Sequence, residues 1–179
     1  MSDGTDSELA KRAAAGDRAS FAALVERHYD RVYRLAWRWT GTATHAEDIA
    51  QDVMVKLATA ITSFRGEAEF STWIYRIAYS TAVDFLRGRQ RIVHLAPSEM
   101  MSLLKDTAGV TPEDNVIGAE LWSAVRALPD QQRDAVLLVY GEDLSHHEAA
   151  KIMGCTEKTV SWHLHEARKR LKIKLEAVG

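Results

Sequence analysis

Residues 70–91 read FSTWIYRIAYSTAVDFLRGRQR, and the spacing of their apolar side chains decides the fold class. At about 100° per residue, one helix face collects Phe70, Ile74, Ile77, Ala78, Thr81 and Phe85. The opposite face carries Thr72, Arg76, Tyr79, Ser80, Val83 and Arg87, with Trp73 and Tyr75 at its two edges. The stretch is therefore predicted to be a helix whose first face packs in a core, and its second face needs another explanation.

The chain before this stretch has the same helical periodicity. Apolar side chains recur at three- and four-residue steps through Phe21, Leu24, Val25, His28, Val32, Leu35 and Ala36. This stripe predicts one long helix that ends at Gly41. The sequence Thr44-His45-Ala46-Glu47 matches a capping box and predicts the start of the next helix, which runs to about residue 61. A shorter helix is expected at about residues 7–15.

The chain after this stretch changes character. Residues 92–114 contain Pro97 and Pro112 and show no sustained apolar period. Apolar spacing resumes at Val116, breaks at Pro129 and continues to Tyr140. No stretch alternates with a period of two for long enough to predict a strand. We therefore predict an all-α protein of two small helical bundles, residues 1–91 and 115–179, joined by a flexible linker of residues 92–114.

Residues 144–160 read LSHHEAAKIMGCTEKTV and have the pattern of a helix-turn-helix. Ser145 and Glu148 form a capping box, Gly154 suits the turn, and Thr156 caps a second helix. The buried stripe of that second helix is predicted to be Val160, Leu164, Ala167, Leu171 and Leu175. Its outward face is polar, basic and aromatic, as in helices that enter the major groove of DNA. A helical hairpin used only for protein contacts is the alternative.

Composition fits a folded globular protein, with 46% hydrophobic and 27% charged residues. The formal net charge of -2 argues against a nucleic-acid partner, but the charge is unevenly distributed. Residues 158–174 contain six Lys or Arg and one Glu, whereas residues 92–129 contain two basic and five acidic side chains. A single Cys155, no long apolar run and no signal segment predict a cytoplasmic protein without a membrane span.

The outward face of residues 70–91 combines rings with positive charge. Arginine neutralises phosphates, and an exposed ring offers a flat surface on which an unpaired base stacks. This combination predicts a surface for single-stranded nucleic acid. The alternative is that Trp73 and Tyr75 pack against neighbouring helices and that the arginines are only solvated.

Catalytic and metal-binding functions have little support in the sequence. His147-Glu148-Ala149-Ala150-Lys151 has Lys where the zinc-protease pattern has a second His, and no nucleophile elbow or phosphate-binding Gly loop occurs. We expect no enzyme activity, no metal and no cofactor. Two alternatives stay open: a metal-dependent hydrolase, and a helix-turn-helix regulator that binds duplex DNA alone as a dimer.

Several motifs in a fixed order make the chain similar to bacterial RNA polymerase sigma factors of the extracytoplasmic-function (ECF) group. The matching segments are residues 17–41, 46–53, 64–67, 70–78 and 128–171. The resemblance implies a first bundle that binds the polymerase clamp and the promoter -10 element, and a second bundle that binds the -35 element. The implied partners are core RNA polymerase, through its β′ clamp coiled coil and its β subunit, promoter DNA, and an anti-sigma factor.

The resemblance also implies roles for individual residues. The segment that docks on polymerase contains Glu47, Asp48, Gln51 and Asp52, for which a solvated acidic face is the alternative. The surface that opens and binds the -10 element contains Phe64, Arg65, Trp73, Tyr75, Arg76, Tyr79, Ser80, Val83 and Arg87. The -35 helix contains Thr156, Lys158, Thr159, Ser161, Trp162, His163, His165 and Lys169. Relatives commonly have Asn at the position of Ser80, and Glu166 is expected to repel phosphate unless it accepts from a cytosine amino group.

Overall fold

The computed structural model describes residues 4–95 and 116–176, and all regular structure in these residues is helical. The predicted all-α fold class is confirmed. The helices are α1 (Asp6–Ala14), α2 (Arg18–Thr40), α3 (Ala43–Ala60), α4 (Phe70–Leu95), α5 (Val116–Arg126), α6 (Asp130–Val136), α7 (His146–Met153) and α8 (Glu157–Glu176). A 3-10 turn (Ile61–Ser63) follows α3, and a π-helical turn (Leu137–Gly141) follows α6. We call α1–α4 the N-terminal unit and α5–α8 the C-terminal unit.

Side chains and a glycine define the ends of the first two helices. Thr5 and Glu8 form a capping box at α1, where the Thr5 backbone N–H donates to Glu8 Oε2 at 2.9 Å. The Asp17 carboxylate accepts from the backbone N–H of Ala19 at 3.0 Å and begins α2. α2 ends at Gly41 as predicted, with a φ of 75° that glycine adopts without steric cost.

α3 starts earlier than the sequence predicted. Its N-cap is Thr42, whose Oγ1 accepts from the backbone N–H of His45 at 3.4 Å, and Thr44 lies inside the first turn. The predicted box of Thr44 and Glu47 is therefore wrong. Only Gly41 and Thr42 separate α2 from α3, so the Thr42 hydroxyl is the one that lies beside the free N–H groups of the new helix.

The N-terminal unit is built around the apolar faces that the periodicity predicted. In α2, the buried side chains of the stripe are Leu24, His28, Val32, Leu35 and Ala36. In α4, they are Phe70, Ile74, Ala78 and Thr81, with Ile77 and Phe85 half-buried. Both helices pack against α3, which leaves the opposite side of α4 facing away from this bundle.

The helix-turn-helix is present in the C-terminal unit. The Ser145 backbone N–H donates to Glu148 Oε2 at 2.8 Å, and Ser145 Oγ accepts from the Glu148 N–H at 3.2 Å, so the predicted capping box is confirmed. Gly154 forms the turn with a φ of 69°. Thr156 Oγ1 accepts from the Thr159 N–H at 3.2 Å at the start of α8. The buried side chains of α8 are Val160, Leu164 and Ala167, with Leu171 half-buried.

The predicted linker falls mostly outside the described residues. α4 continues to Leu95, beyond residue 91 at which the first bundle was predicted to end. Residues 96–115 contain nearly all of the predicted linker and are not described, and the same holds for residues 1–3 and 177–179. The bounds of the linker therefore stay predictions.

The two units pack against each other along α2 and α4. α7 contacts α4, while α5 and the π-helical turn contact α2. Buried apolar side chains of both units form one continuous cluster. Within the described ranges, no helix is long and apolar enough to cross a membrane. The packing of the units covers part of the α4 face that the sequence predicted to be exposed.

Candidate nucleic-acid interface

The outward face of α4 is partly open to solvent. Arg76, Ser80 and Arg87 are exposed, and Tyr79 and Val83 are half-buried. An open groove of about 480 Å³ runs along this face, lined by Trp73, Arg76, Ile77, Tyr79, Ser80 and, from α7, Ile152. Two rings and a guanidinium group therefore border one groove. This arrangement suits an unpaired base and its phosphate.

Trp73 belongs to an aromatic cluster at the start of α4. Its ring centroid lies 5.2 Å from that of Phe64 and 5.9 Å from that of Phe70. Phe64, which the sequence assigned to the DNA surface, is only 8% exposed. The Phe64 ring therefore packs against the buried side of the Trp73 ring and does not face solvent. The neighbouring Arg65 is exposed.

Tyr75 differs from the prediction because it is 2% exposed and does not lie at an open edge. Its hydroxyl donates to Glu142 Oε2 at 2.8 Å, and Glu142 belongs to the C-terminal unit. Burial and this carboxylate raise the pKa of the Tyr75 phenol far above its usual range, so the hydroxyl keeps its proton. Thr72 is buried as well. For Tyr75 the cause is tertiary, since the C-terminal unit packs over this side of α4.

Glu142 is bound by two arginines of α2 that the sequence analysis missed. Arg31 Nε donates to Glu142 Oε2 at 3.0 Å, and Arg38 Nη1 donates to Glu142 Oε1 at 2.9 Å. Arg38 also donates to the carbonyl oxygen of Gly141 at 2.7 Å. Only 4% of the Glu142 side chain is exposed. The signal in the sequence is a basic stripe at helical spacing along α2, formed by Arg27, Arg31, Arg34 and Arg38.

A second carboxylate of the C-terminal unit lies near the same surface. Asp134 is 1% exposed, accepts from Trp39 Nε1 at 2.9 Å, and pairs with Arg133 of its own unit at 2.8 Å. Burial raises the pKa of the Asp134 carboxyl, and the charge of Arg133 opposes that rise. Burial first, and then the charge of Asp134, raise the pKa of Tyr79 to about 12. Tyr75 and Tyr79 therefore each interact with a buried carboxylate of the other unit.

α8 presents most of the predicted DNA-reading side chains to solvent. The exposed ones are Thr156, Lys158, Ser161, Trp162, His165 and Lys169, and the half-buried ones are Thr159 and His163. Trp162 is 57% exposed, and the centroid of its ring lies 5.0 Å from that of the His163 ring. This surface combines hydroxyl, ammonium and ring groups on one helix, as major-groove readout requires.

Contacts within the helix-turn-helix modify the charge of this surface. Lys169 Nζ lies 3.1 Å from Glu166 Oε1, so the carboxylate that was expected to repel phosphate is partly compensated. Ser161 Oγ lies 2.9 Å from His146 Nδ1, which ties α8 to α7. Burial lowers the pKa of the His163 ring and favours its neutral form. His163 therefore adds little positive charge to α8 at neutral pH.

The residues assigned to polymerase docking share the solvent face of α3. Glu47, Asp48, Gln51 and Asp52 are all exposed. Asp52 Oδ2 pairs with Lys56 Nζ at 3.2 Å. Val55, at 66% exposure, adds an apolar side chain to the same face. The opposite face of α3 is buried, so this acidic surface is rigidly oriented.

Fold and surfaces together define a class of protein: an all-α chain with a ring-and-arginine helix in one unit and a helix-turn-helix in the other. Residues 24–92 match the family model Sigma-70 region 2, and residues 118–171 match Sigma-70, region 4. The chain is 33% identical over 175 residues to the ECF RNA polymerase sigma factor SigW of Bacillus subtilis, covering 92% of this chain and 94% of SigW.

Two further relatives agree with these matches. The ECF RNA polymerase sigma-E factor of Haemophilus influenzae is 31% identical over 186 residues, with 96% of each chain covered. Among solved structures, CnrH in complex with the cytosolic domain of CnrY is 25% identical with a TM-score of 0.75, covering 97% of this chain and 99% of CnrH. The chain belongs to the family of ECF RNA polymerase sigma factors. It is a transcription initiation factor, not an enzyme, and gives RNA polymerase promoter specificity.

Proposed function

We propose that the open side of α4 binds and helps melt the promoter -10 element, that α8 binds the -35 element, and that the acidic face of α3 docks on core RNA polymerase. The observation that carries this proposal is the groove along α4, in which Trp73, Arg76 and Tyr79 line one open surface. The family matches support this assignment of separate functions to the two units. The region 2 match includes α3 and most of α4, and the region 4 match includes most of α8.

The groove along α4 supplies binding energy that offsets part of the cost of melting. Unstacking a base costs about a few kcal/mol. Stacking of an unpaired base on an aromatic ring returns about 1–3 kcal/mol per base. Trp73 and Tyr79 offer such rings, while the exposed Arg65, Arg76 and Arg87 neutralise phosphates. Two captured bases therefore offset most of the cost of opening the duplex at two positions.

The proposed -10 surface includes four further residues, which contribute in different ways: Phe64, Tyr75, Ser80 and Val83. Phe64 packs against Trp73 and orients its ring. The exposed Ser80 hydroxyl and the half-buried Val83 border the face from which a base enters. Tyr75 is covered by Glu142 while the units are packed together, so we propose that it meets DNA only after they separate.

α8 reads duplex DNA in this proposal. Lys158 and Lys169 contact phosphates, which position the helix, while side chains between them meet base edges. The side chains that meet base edges are those of Thr159, Ser161, Trp162, His163 and His165. Thr156 caps the end of α8 that enters the major groove of DNA. The N-terminal unit, predicted as residues 1–91, extends through α4 to Leu95. The segment from residue 96 to 114 then connects it to the second unit, residues 115–179, along the polymerase cleft.

We also propose an anti-sigma factor as a regulatory partner and the cytoplasm as the site of action. The solved relative CnrH is bound by the cytosolic domain of CnrY, and that structure covers 97% of this chain. The single free Cys155 fits a reducing compartment. The cytoplasm as the site of action also follows from a protein that works on RNA polymerase.

Charge reversal on α3 tests the docking surface. The double variant Asp48→Lys with Asp52→Lys is expected to weaken binding of the full chain to core polymerase about tenfold, because it turns two attractions into repulsions at an exposed interface. Biolayer interferometry with immobilised core polymerase measures this. Glu67→Lys with Glu69→Lys makes the same change of net charge at two exposed loop residues and serves as the control. Equal affinities of the two double variants would remove α3 from the proposal.

The proposed function is tested by transcription with purified components. Core RNA polymerase with this chain is expected to start transcripts at defined positions on a genomic DNA library of its host, and sequencing of the 5′ ends reveals both promoter elements. Start sites identical to those of core polymerase alone would contradict the proposal. A gel shift without polymerase tests the rival of a stand-alone regulator, which predicts tight binding to promoter duplex where the present proposal predicts weak binding.

A further inference from the structure

Three donors of the N-terminal unit converge on a single carboxylate of the C-terminal unit. The Glu142 carboxylate accepts from Arg31 Nε at 3.0 Å, from Arg38 Nη1 at 2.9 Å, and from the Tyr75 hydroxyl at 2.8 Å. Arg31 and Arg38 lie on α2 and Tyr75 lies on α4, and both helices are anchored in the core of the same unit. The donors therefore form an anion-binding site on two helices whose relative position is fixed by the core of the N-terminal unit.

Ring contacts orient the two guanidinium groups of this site. The Arg31 guanidinium lies 5.2 Å from the centroid of the Tyr75 ring, within the N-terminal unit. The Arg38 guanidinium lies 4.8 Å from the centroid of the Trp122 ring, which belongs to the C-terminal unit. Without Glu142 the site would present two positive charges and a hydroxyl donor, which is the donor set that a phosphate or a carboxylate fills.

The anion site borders the proposed -10 surface. Tyr75 directly precedes Arg76 on α4, and Arg76 lines the open groove together with Tyr79. Asp134, the second buried carboxylate of the C-terminal unit, accepts from Trp39, whose ring lies 6.0 Å from the Tyr79 ring. The carboxylates of Glu142 and Asp134 thus cover one side of the outward face of α4. The open part of that face suits bases and phosphates. A strand that follows the groove would carry its negatively charged backbone to the covered side.

We propose that Arg31, Arg38 and Tyr75 form a binding site for a backbone phosphate of the separated promoter strand, and that Glu142 occupies this site when the two units are packed together. This inference rests on the proposed function of α4. The phosphate and the Glu142 carboxylate compete for the same donors, so single-stranded DNA and the packed arrangement exclude each other. Strand binding therefore opens the protein, and the packed arrangement weakens strand binding.

The first test removes the competing charge. Glu142→Gln keeps the shape of the side chain but weakens its hold on both guanidinium groups. We expect the full-length variant to bind a fluorescein-labelled single-stranded 12-mer of randomised sequence about tenfold more tightly, because the open fraction of molecules rises. Fluorescence anisotropy measures the affinity, and phosphate contacts need no defined sequence. Asp143→Asn removes the same charge at the adjacent, exposed residue and is the matched control.

The second test removes the donors in the Glu142→Gln background. Arg31→Ala and Arg38→Ala are each expected to reduce affinity for the 12-mer, and each should lower the slope of log K against log salt by about 0.7, which corresponds to one lost phosphate contact. Arg18→Ala, at an exposed arginine at the start of the same helix, is the control and should leave the slope unchanged. Circular dichroism verifies that each variant retains its helix content.

The third test measures amide hydrogen exchange in the chain without substitutions, so a folding defect of a variant cannot affect the result. Addition of the 12-mer should speed amide hydrogen exchange in residues 137–144, because the segment around Glu142 leaves the N-terminal unit. Unchanged exchange there, or Glu142→Gln affinity equal to that of Asp143→Asn, overturns the inference. The inference is also overturned if the salt dependence of 12-mer binding is unchanged in both Arg31→Ala and Arg38→Ala.

One further variant separates this inference from the proposed function. Arg76→Ala changes an exposed side chain of the groove that takes no part in the anion site. If Arg76→Ala weakens binding of the 12-mer while Arg31→Ala and Arg38→Ala do not, only the phosphate site is wrong. If none of the three weakens binding, the assignment of α4 to the promoter strand is wrong as well.

Discussion

Replacing both Trp73 and Tyr79 with alanine is expected to reduce opening of the -10 region on the order of 100-fold, because stacking contributes about 1–3 kcal/mol per base and two rings are lost. Both rings line the groove along α4. Permanganate reactivity of thymines in the -10 region measures strand separation directly, on a promoter found by the 5′-end sequencing. Transcript yield from the same promoter should fall in parallel.

Two controls show whether the effect is local to the groove. The double variant should still bind core polymerase with unchanged affinity, since the proposed docking surface lies on α3. Tyr140→Ala removes a ring that is 47% exposed in the C-terminal unit, outside the groove, and should leave thymine reactivity intact. Normal reactivity in a polymerase-bound double variant would show that Trp73 and Tyr79 only pack against their neighbours.

Asp134→Ala is expected to lower the free energy of unfolding by about 3–5 kcal/mol, because a buried guanidinium group loses its only buried charge partner among the described residues and keeps only the exposed Asp130. Arg133 is 7% exposed, and its side chain contacts Asp134 at 2.8 Å. The variant also removes the acceptor of the Trp39 indole N–H, which joins the two units. Urea unfolding followed by circular dichroism at neutral pH measures the loss.

The matched control for Asp134 uses the same arginine. Asp130 also pairs with Arg133, at 3.0 Å, but its side chain is 57% exposed. Asp130→Ala should therefore cost about 0–1 kcal/mol, as is usual for an ion pair in contact with water. Asp134→Asn keeps an acceptor for Trp39 while it removes the charge. Its free energy of unfolding should therefore lie between those of Asp130→Ala and Asp134→Ala. Similar losses for Asp130→Ala and Asp134→Ala would contradict the role assigned to burial.

Sequence patterns predicted most of the local structure of this chain. The stripe from Phe21 to Ala36 is the buried face of α2, and Gly41 ends that helix in the left-handed region. The Ser145 capping box is present as well. These features depend on residues within one or two helical turns, so the local spacing contains the information. The misassigned cap at Thr44 shows the limit, since Thr42 and Thr44 offer the same hydroxyl and only the length of the connection decides between them.

Helical periodicity, caps and the order of the motifs by themselves determined the all-α fold, the helix-turn-helix and the sigma-factor family. Tertiary structure alone decided which side of α4 stays open. Arg31 and Glu142 are 111 residues apart in the chain, and each has the sequence context of an ordinary surface charge. Packing of the units brings them together, buries Tyr75 and leaves Arg76 in solvent. No local pattern encodes such a pair, because it forms only when packing of the two units removes Glu142 from water and places it beside Arg31.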